Sequence, residues 1–374
     1  MHTVRNRNLE VGYRSNSHAR SALCLLSIDG NFLTQRVAVV GIGQMGLAHA
    51  AIVNSFDGVT TVGIADRDKR LVKLASKALS SVAFYDDNSE LVRECQPDAV
   101  FVCTPIATHA DVIREVLDVR PNLAIFVEKP LAHTYQSALD LVRKTQSLPG
   151  PFAVGFQKRF NGVFQKAREL LRTRELGDPV VFRAHHFQRG FHGISKGWRT
   201  SAGGGGASLE WGVHLIDLLL WFFGLPSEVV SVSRSIATGS VDDYVTSQWR
   251  YGSQVTGTVE YGWSMSGYIP SEMKLEVQCT DGYLIVTEDA LVKISDRRGE
   301  TTRGAVETFY RHDLTASPSI LLGPPELTLQ DAAFLRGGAT PTGSNCCDFS
   351  GGAMVNQMIE RILNQTALLA NQIP

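Results

Sequence analysis

The chain has 374 residues, 44% of them hydrophobic, with 36 basic against 37 acidic side chains. That length carries two packed domains, and the even charge balance argues against a nucleic-acid or polyanion binder. Its longest apolar candidate, Leu215 to Phe223, is broken by Asp217 and stops at Gly224, well short of the roughly 20 residues that cross a bilayer. The six cysteines (Cys24, Cys95, Cys103, Cys279, Cys346, Cys347) form no C-x-x-C pair. They write neither a zinc knuckle nor a disulfide framework, which suits a reducing, cytoplasmic compartment.

Residues 1–34 carry Arg, Ser and Asn with a single Glu and a short apolar patch, Ala22 to Ile28. They are expected to be a poorly ordered N-terminal extension, although an Arg-rich, acid-poor leader also has the composition of a transit peptide. From Val37 the pattern alternates. Val37 to Gly41 reads as a short strand, followed by a helix periodic in Met45, Ala48, Ile52 and Phe56, and then by a strand at Thr60 to Ala65. A helix over Lys69 to Leu79, a strand at Val82 to Tyr85 and a short helix near Glu90 follow. Next come a buried strand at Ala99 to Cys103, a helix at Ala110 to Val119, a strand at Leu123 to Val127 and a helix from Tyr135. This alternation predicts a parallel, doubly wound sheet in residues 35–150.

Pro149-Gly150-Pro151 punctuates the chain, and a further strand is expected at Ala153 to Phe156. Beyond it the runs Val180 to Phe187, Glu228 to Ile236, Tyr244 to Tyr251, Val255 to Trp263, Lys274 to Cys279 and Tyr283 to Val286 read as consecutive strands. They predict a mostly antiparallel sheet with helices on one face in residues 151–374. A helical tail at Val355 to Leu369 closes the chain.

Chemistry begins at Gly41-Ile42-Gly43-Gln44-Met45-Gly46, which ends a strand and opens a helix. Backbone amides and a helix N-terminus there can face a pyrophosphate, and the missing side chains permit close approach. Asp66 stands 20 residues past Gly46, at the end of the second strand, where a carboxylate accepts hydrogen bonds from an adenosine ribose. Asp66 opposes a 2′-phosphate while Arg67 beside it attracts one, and the balance favours NAD over NADP. Two further loops follow strand ends. Thr104 and Pro105 precede Thr108, a candidate cap for the helix containing His109, and Glu128-Lys129-Pro130 ends the next strand. A lysine at such a strand end suits the polarising of a substrate oxygen.

Ala207 to Phe223 reads as a buried helix stopped by Gly224 and Pro226. Glu210, His214 and Asp217 fall on one stripe of it. Buried polar groups require partners, so His214 is either a core histidine satisfied by Glu210 and Asp217 or, with Lys129, part of a reacting site. His185, His186 and His192 have the residue type for zinc, but adjacent strand histidines face opposite ways and no metal is expected.

Together these segments resemble the glucose–fructose oxidoreductase/inositol dehydrogenase/rhizopine-catabolism (Gfo/Idh/MocA) oxidoreductases. The matching motifs are the glycine fingerprint, Cys103-Thr-Pro, Glu128-Lys129-Pro130, Gly155-Phe-Gln-Lys-Arg159-Phe and Gly204-Gly-Gly-x-x-x-Glu210-x-Gly-x-His214-x-x-Asp217, in the family's order over roughly residues 35 to 374. The resemblance implies an α/β protein: an N-terminal Rossmann dinucleotide-binding domain and a C-terminal α+β domain whose large, mostly antiparallel open-faced sheet binds substrate and mediates dimers or tetramers. It also implies that Lys129 contacts nicotinamide ribose and substrate, that His214 transfers the proton, and that Gln157, Arg159, Trp198, Arg199 and Glu210 line the pocket. For Arg159 and Trp198 a structural role fits equally well. The family commonly has Asp where this chain has Glu210, one methylene longer.

The activity so implied is reversible oxidation of a secondary alcohol on a sugar or cyclitol, with hydride passing to the nicotinamide. The same fold also hosts NAD-dependent glycosidases, enzymes that keep their cofactor and exchange hydride between two sugars, and non-catalytic NAD sensors. A sensor is expected to lose the lysine or the histidine, and both are present here.

Overall fold

The computed structural model describes residues 34–78, 82–189, 200, 205–236, 241–296, 305–315, 323–337 and 345–370, with the backbone alone at residue 78 and residues 366–370. The expected N-terminal extension therefore lies, but for residue 34, outside the described residues. The first half follows a strict alternation: β1 (Gln35–Val40), α1 (Gln44–Val53), β2 (Val59–Ala65), α2 (Lys69–Ala78), β3 (Ala83–Tyr85), α3 (Asn88–Cys95), β4 (Ala99–Val102), α4 (His109–Val119), β5 (Ala124–Val127), α5 (Tyr135–Thr145) and β6 (Phe152–Val154). Val37 to Val40 are all buried because helices cover both faces of the sheet, as a parallel sheet requires.

The second half comprises α6 (Gly162–Thr173), β7 (Pro179–Phe187), α7 (Val213–Phe223), β8 (Glu228–Arg234), β9 (Tyr244–Tyr251), β10 (Val255–Gly262), β11 (Glu272–Cys279), β12 (Gly282–Thr287), β13 (Ala290–Ser295) and β14 (Ala305–Tyr310). After them come α8 (Arg311–Leu314), α9 (Pro325–Leu335), β15 (Cys347–Asp348) and α10 (Phe349–Ala370).

Among the described residues these strands form two sheets. The first runs β15-β6-β5-β4-β1-β2-β3, parallel except for β15. Its order reverses between β1 and β4, which opens the crevice where such sheets bind ligands. Pro149-Gly150-Pro151 thus lies between two strands of one sheet, since β6 pairs with β5. The second sheet runs β14-β13-β12-β11-β7-β10-β9-β8 and is antiparallel apart from the β10–β7 pair. β13 and β14 extend it beyond the strands expected from sequence. On β11 buried and more exposed residues alternate, so one face packs on helices while the other is left open.

The halves are interleaved. Leu327, Ala332, Phe334 and Leu335 of α9 join Val37, Val39, Phe101 and Phe126 in one apolar cluster, returning the chain to the first sheet after the second is complete.

Candidate active site

The glycine loop has the shape its sequence requires. Gly41 adopts φ +108, where a Cβ would lie 2.7 Å from the Cys103 carbonyl oxygen; at Gly46 a Cβ would meet the Gly41 oxygen at 1.9 Å. Gly43 differs, because a Cβ there meets nothing within 4 Å. It caps α1 without a side-chain hydrogen bond, and the first turn carries no acidic group. The amides of Gln44, Met45 and Gly46 thus face a space suited to a pyrophosphate.

Asp66 closes one edge of this loop. Its Oδ2 accepts from the Ile42 amide at 2.8 Å and its Oδ1 from the Asp68 amide at 2.8 Å, which aims the carboxylate. Arg67 is exposed, with Nη2 3.5 Å from Glu115 on α4. Opposite, Thr108 does not cap α4 with its side chain. Its hydroxyl donates to the Pro105 carbonyl at 2.8 Å and lies 2.9 Å from the Thr104 hydroxyl, and so folds the Thr104–Pro105 loop onto itself. His109 is buried, with Nδ1 2.9 Å from the Pro130 carbonyl and Nε2 2.8 Å from the Thr104 carbonyl. It ties the two loops together from behind.

The Glu128-Lys129-Pro130 loop, with a cis Lys129–Pro130 bond, follows directly on β5. Lys129 Nζ donates to the Glu210 carbonyl at 2.9 Å and lies 3.5 Å from the Glu210 carboxylate. Glu128 reaches inward instead. Its Oε1 is 3.0 Å from His49 Nε2 on α1, and His49 Nδ1 is 2.7 Å from Asp331 on α9.

Glu210 does not begin an ordinary α-helix. Ser208–Gly212 form a π turn ahead of α7, a feature recurrent at functional sites. Asp242 fixes its start: Oδ2 accepts from the Ser208 amide at 2.8 Å and from its hydroxyl at 2.7 Å, while Ser208 Oγ lies 2.8 Å from the Tyr261 hydroxyl. Gly206, at φ +108, leaves room for that aspartate, since a Cβ would meet Asp242 Oδ1 at 2.1 Å.

The three ionisable groups expected on one stripe take different partners. Glu210 faces Lys129. Asp217 is bound bidentately by Arg159, at 2.9 Å to Nε and 2.6 Å to Nη2. His214 hydrogen-bonds to neither, and its buried Nδ1 has no partner among the described residues. The core histidine satisfied by two neighbours is thereby corrected. Burial, then the positive charges of Lys129 and Lys158 and then His186, push the His214 pKa well below its usual value and keep the ring neutral.

Sequence reasoning missed three residues that surround His214. Lys158, inside the quoted Gly155–Phe160 motif, pairs with Glu288, and burial lowers its pKa to about 8. His186 stacks on Trp211 with ring centroids 4.4 Å apart. His186 Nδ1, Trp211 Nε1 and Gln157 Oε1 are buried without partners among the described residues, as His214 Nδ1 is. His185 turns the other way, to Glu272 at 2.6 Å. Lys158 was legible as a charge beside Arg159; His186 was read only as a discounted zinc candidate, and Trp211 carried no local signal. Trp198, Arg199 and His192 lie outside the described residues. A cleft of about 390 Å³ lined by Tyr268, Glu272 and Glu288 opens alongside and shares Glu288 with Lys158. Neither Lys129 nor His214 lines it, so the site rests on the chemistry of its side chains.

Known proteins match this chain in sequence and in fold. The family model described as "Oxidoreductase family, NAD-binding Rossmann fold" matches residues 35–156, and the GFO/IDH/MocA C-terminal domain matches residues 164–285. The chain is 25% identical over 286 residues to a myo-inositol 2-dehydrogenase of Thermotoga maritima, covering 74% of this chain and 82% of that protein. An inositol 2-dehydrogenase of Rubrobacter xylanophilus is 26% identical over 329 residues, 81% of this chain and 91% of its own length. In fold, a levoglucosan dehydrogenase solved in complex with NADH superposes with a TM-score of 0.78 at 20% identity, covering 89% of this chain and 97% of the other. With both halves matched in order, the chain belongs to the Gfo/Idh/MocA oxidoreductase family and carries its NAD-binding Rossmann fold.

Proposed function

We propose that this protein is an NAD-dependent dehydrogenase that reversibly oxidises a secondary alcohol of a sugar or cyclitol. The observation that carries the reading is His214: a buried imidazole, kept neutral, with a ring nitrogen that has no partner among the described residues, in the field of Lys129 and Lys158. A neutral imidazole is the form that accepts a hydroxyl proton. Lys129 stabilises the developing alkoxide with donors not engaged by Glu210, and Glu210 orients the hydroxyl or the lysine. Gln157 Oε1, His186 Nδ1 and Trp211 Nε1 offer both donors and acceptors, which suits a neutral, polyhydroxylated substrate.

Gly41, Gly43, Gly46 and the amides at Gln44 and Met45 hold the cofactor pyrophosphate in this reading. Asp66 holds the adenosine ribose, and Thr104, Pro105, Glu128 and Lys129 line the nicotinamide end. Bound NAD supplies the hydride acceptor. Residues 35–150 with β6, α9 and β15 carry the cofactor, and the remainder of 151–374 carries the substrate site and the open sheet through which a homodimer or homotetramer forms. A cytoplasmic location completes the proposal; among the described residues no helix is long and apolar enough to cross a membrane.

The test is a panel of sugars, cyclitols and their keto forms scored by NADH absorbance. Stoichiometric NADH from one class of alcohol supports the reading. Turnover of a glycoside without net NADH overturns it in favour of an NAD-dependent hydrolase.

A further inference from the structure

The residue on each side of Lys129 is held by a buried histidine. Before it, Glu128 Oε1 lies 3.0 Å from His49 Nε2, while Glu128 Oε2 accepts from the Lys129 amide at 3.2 Å. After it, the Pro130 carbonyl lies 2.9 Å from His109 Nδ1. His49 is fully buried among the rings of Phe101 and Phe126, and its other nitrogen is 2.7 Å from Asp331, also fully buried. Such an imidazole has no water to satisfy it, so its orientation is dictated by the two carboxylates.

We propose that His49 is a positioning residue for Lys129: as an imidazolium it clamps the Glu128 carboxylate, which in turn holds the Lys129 amide, while Asp331 anchors the ring from α9. This rests on Lys129 acting at the reacting oxygen. Burial alone would strip the proton from His49, but Asp331 and Glu128 outweigh it and raise the pKa to about 10. The other charged or titratable groups in this neighbourhood are Lys129, His109 and Cys103.

The test uses the geometry of amide side chains. A Gln amide reaches about where Nε2 stood and an Asn amide about where Nδ1 stood, so His49→Gln keeps a donor toward Glu128 and His49→Asn keeps one toward Asp331. His49→Asn should lose about 10- to 100-fold in kcat, the scale of a slightly misplaced reacting group, with substrate KM little changed. His49→Gln should recover most of that loss. Equal kcat for the folded Gln and Asn variants overturns the proposal, whether both are impaired or neither is. A readout independent of turnover is ¹⁵N NMR of histidine-labelled wild-type protein, in which His49 should carry protons on both ring nitrogens at pH 8; a neutral ring there overturns the clamp even if a variant fails to fold. Lys129→Met is the control on the underlying reading. Retained turnover in that variant removes Lys129 from the chemistry, whereas impaired Lys129→Met beside unimpaired His49→Asn rejects the positioning role alone.

Discussion

Lys129 Nζ stands 2.9 Å from the Glu210 carbonyl, so one hydrogen bond joins a loop of the first sheet to the π turn that begins the helix of His214. Lysine and histidine are 85 residues apart in sequence, and this contact sets the lysine against the turn from which the histidine's helix begins. His214→Ala should cut turnover by roughly 10²- to 10⁴-fold, the usual contribution of a positioned proton acceptor, with NAD affinity hardly changed. Lys129→Met should lower turnover and weaken NAD as well. Because both residues act on one hydroxyl in one transition state, the double variant should lose much less than the product of the single losses. A folded His214→Ala enzyme with near-normal turnover on its best substrate would leave His214 a packing residue.

The pH profile should carry the same signature. A base whose pKa is driven well below 6.5, first by burial and then by Lys129 and Lys158, is unprotonated throughout the neutral range. Activity limited by this group should therefore be flat through neutral pH and fall only in acid. An acid limb in kcat/KM centred above pH 7, under conditions where the protein stays folded, contradicts a neutral His214 in the free enzyme.

Two glycines of one motif should respond in opposite ways to the same added methyl. At Gly43, the N-cap of α1, a Cβ meets nothing in the protein within 4 Å. Gly43→Ala should hold its melting temperature and lose NAD affinity by tenfold or more. At Gly46 the Cβ would lie 1.9 Å from the Gly41 oxygen, so Gly46→Ala should lower the melting temperature whether or not NAD is present. Calorimetry and a binding titration on each variant separate the two effects.

Legibility followed the range of the interactions. Strands β1 to β6 were readable because hydrophobic runs and punctuation are local, and the glycine loop with Asp66 was readable because its parts lie within one βαβ unit. The destination of β6 was not: Pro149-Gly150-Pro151 looks like a boundary, yet the strand after it pairs with β5. The π turn was also hidden, since an apolar stretch from Ala207 to Phe223 has nearly the same pattern in α and π geometry. His49 and Asp331 are 282 residues apart, and α9 returns to the first sheet through apolar contacts that no periodicity announces. Of the residues whose charge reaches His214, Lys158 lay within a motif, but His186 and Trp211 meet only because β7 and the π turn pack together.

Cofactor choice rests on Asp66. Both its oxygens are aimed by backbone amides, from Ile42 and Asp68, while Arg67 leans toward Glu115. A fixed carboxylate pairs with ribose hydroxyls and repels a 2′-phosphate. NAD should bind more tightly than NADP, and Asp66→Ala should narrow the gap, chiefly by weakening NAD. Dissociation constants for both cofactors check it; tighter NADP binding by the wild-type protein shifts the choice to Arg67.

The buried imidazolium makes stability itself pH-dependent. His49 has its pKa raised from 6.5 to about 10 in the folded protein, where Asp331 and Glu128 overcome the burial that opposes its charge. A folded state that holds a proton the unfolded chain has released is favoured in acid. The contribution is complete below pH 6.5 and falls as pH rises toward 10. The wild-type melting temperature should therefore drop between pH 7 and pH 10, a range in which other groups also titrate. His49→Gln removes this one proton, so the difference between wild type and variant reports it together with the response of Glu128 and Asp331. The wild-type protein should be the more stable at pH 7, and its advantage should shrink steadily toward pH 10. Parallel melting curves for the two proteins across that range would mean that His49 binds no extra proton on folding, leaving Glu128 held by a neutral ring and Asp331 to carry the proton instead.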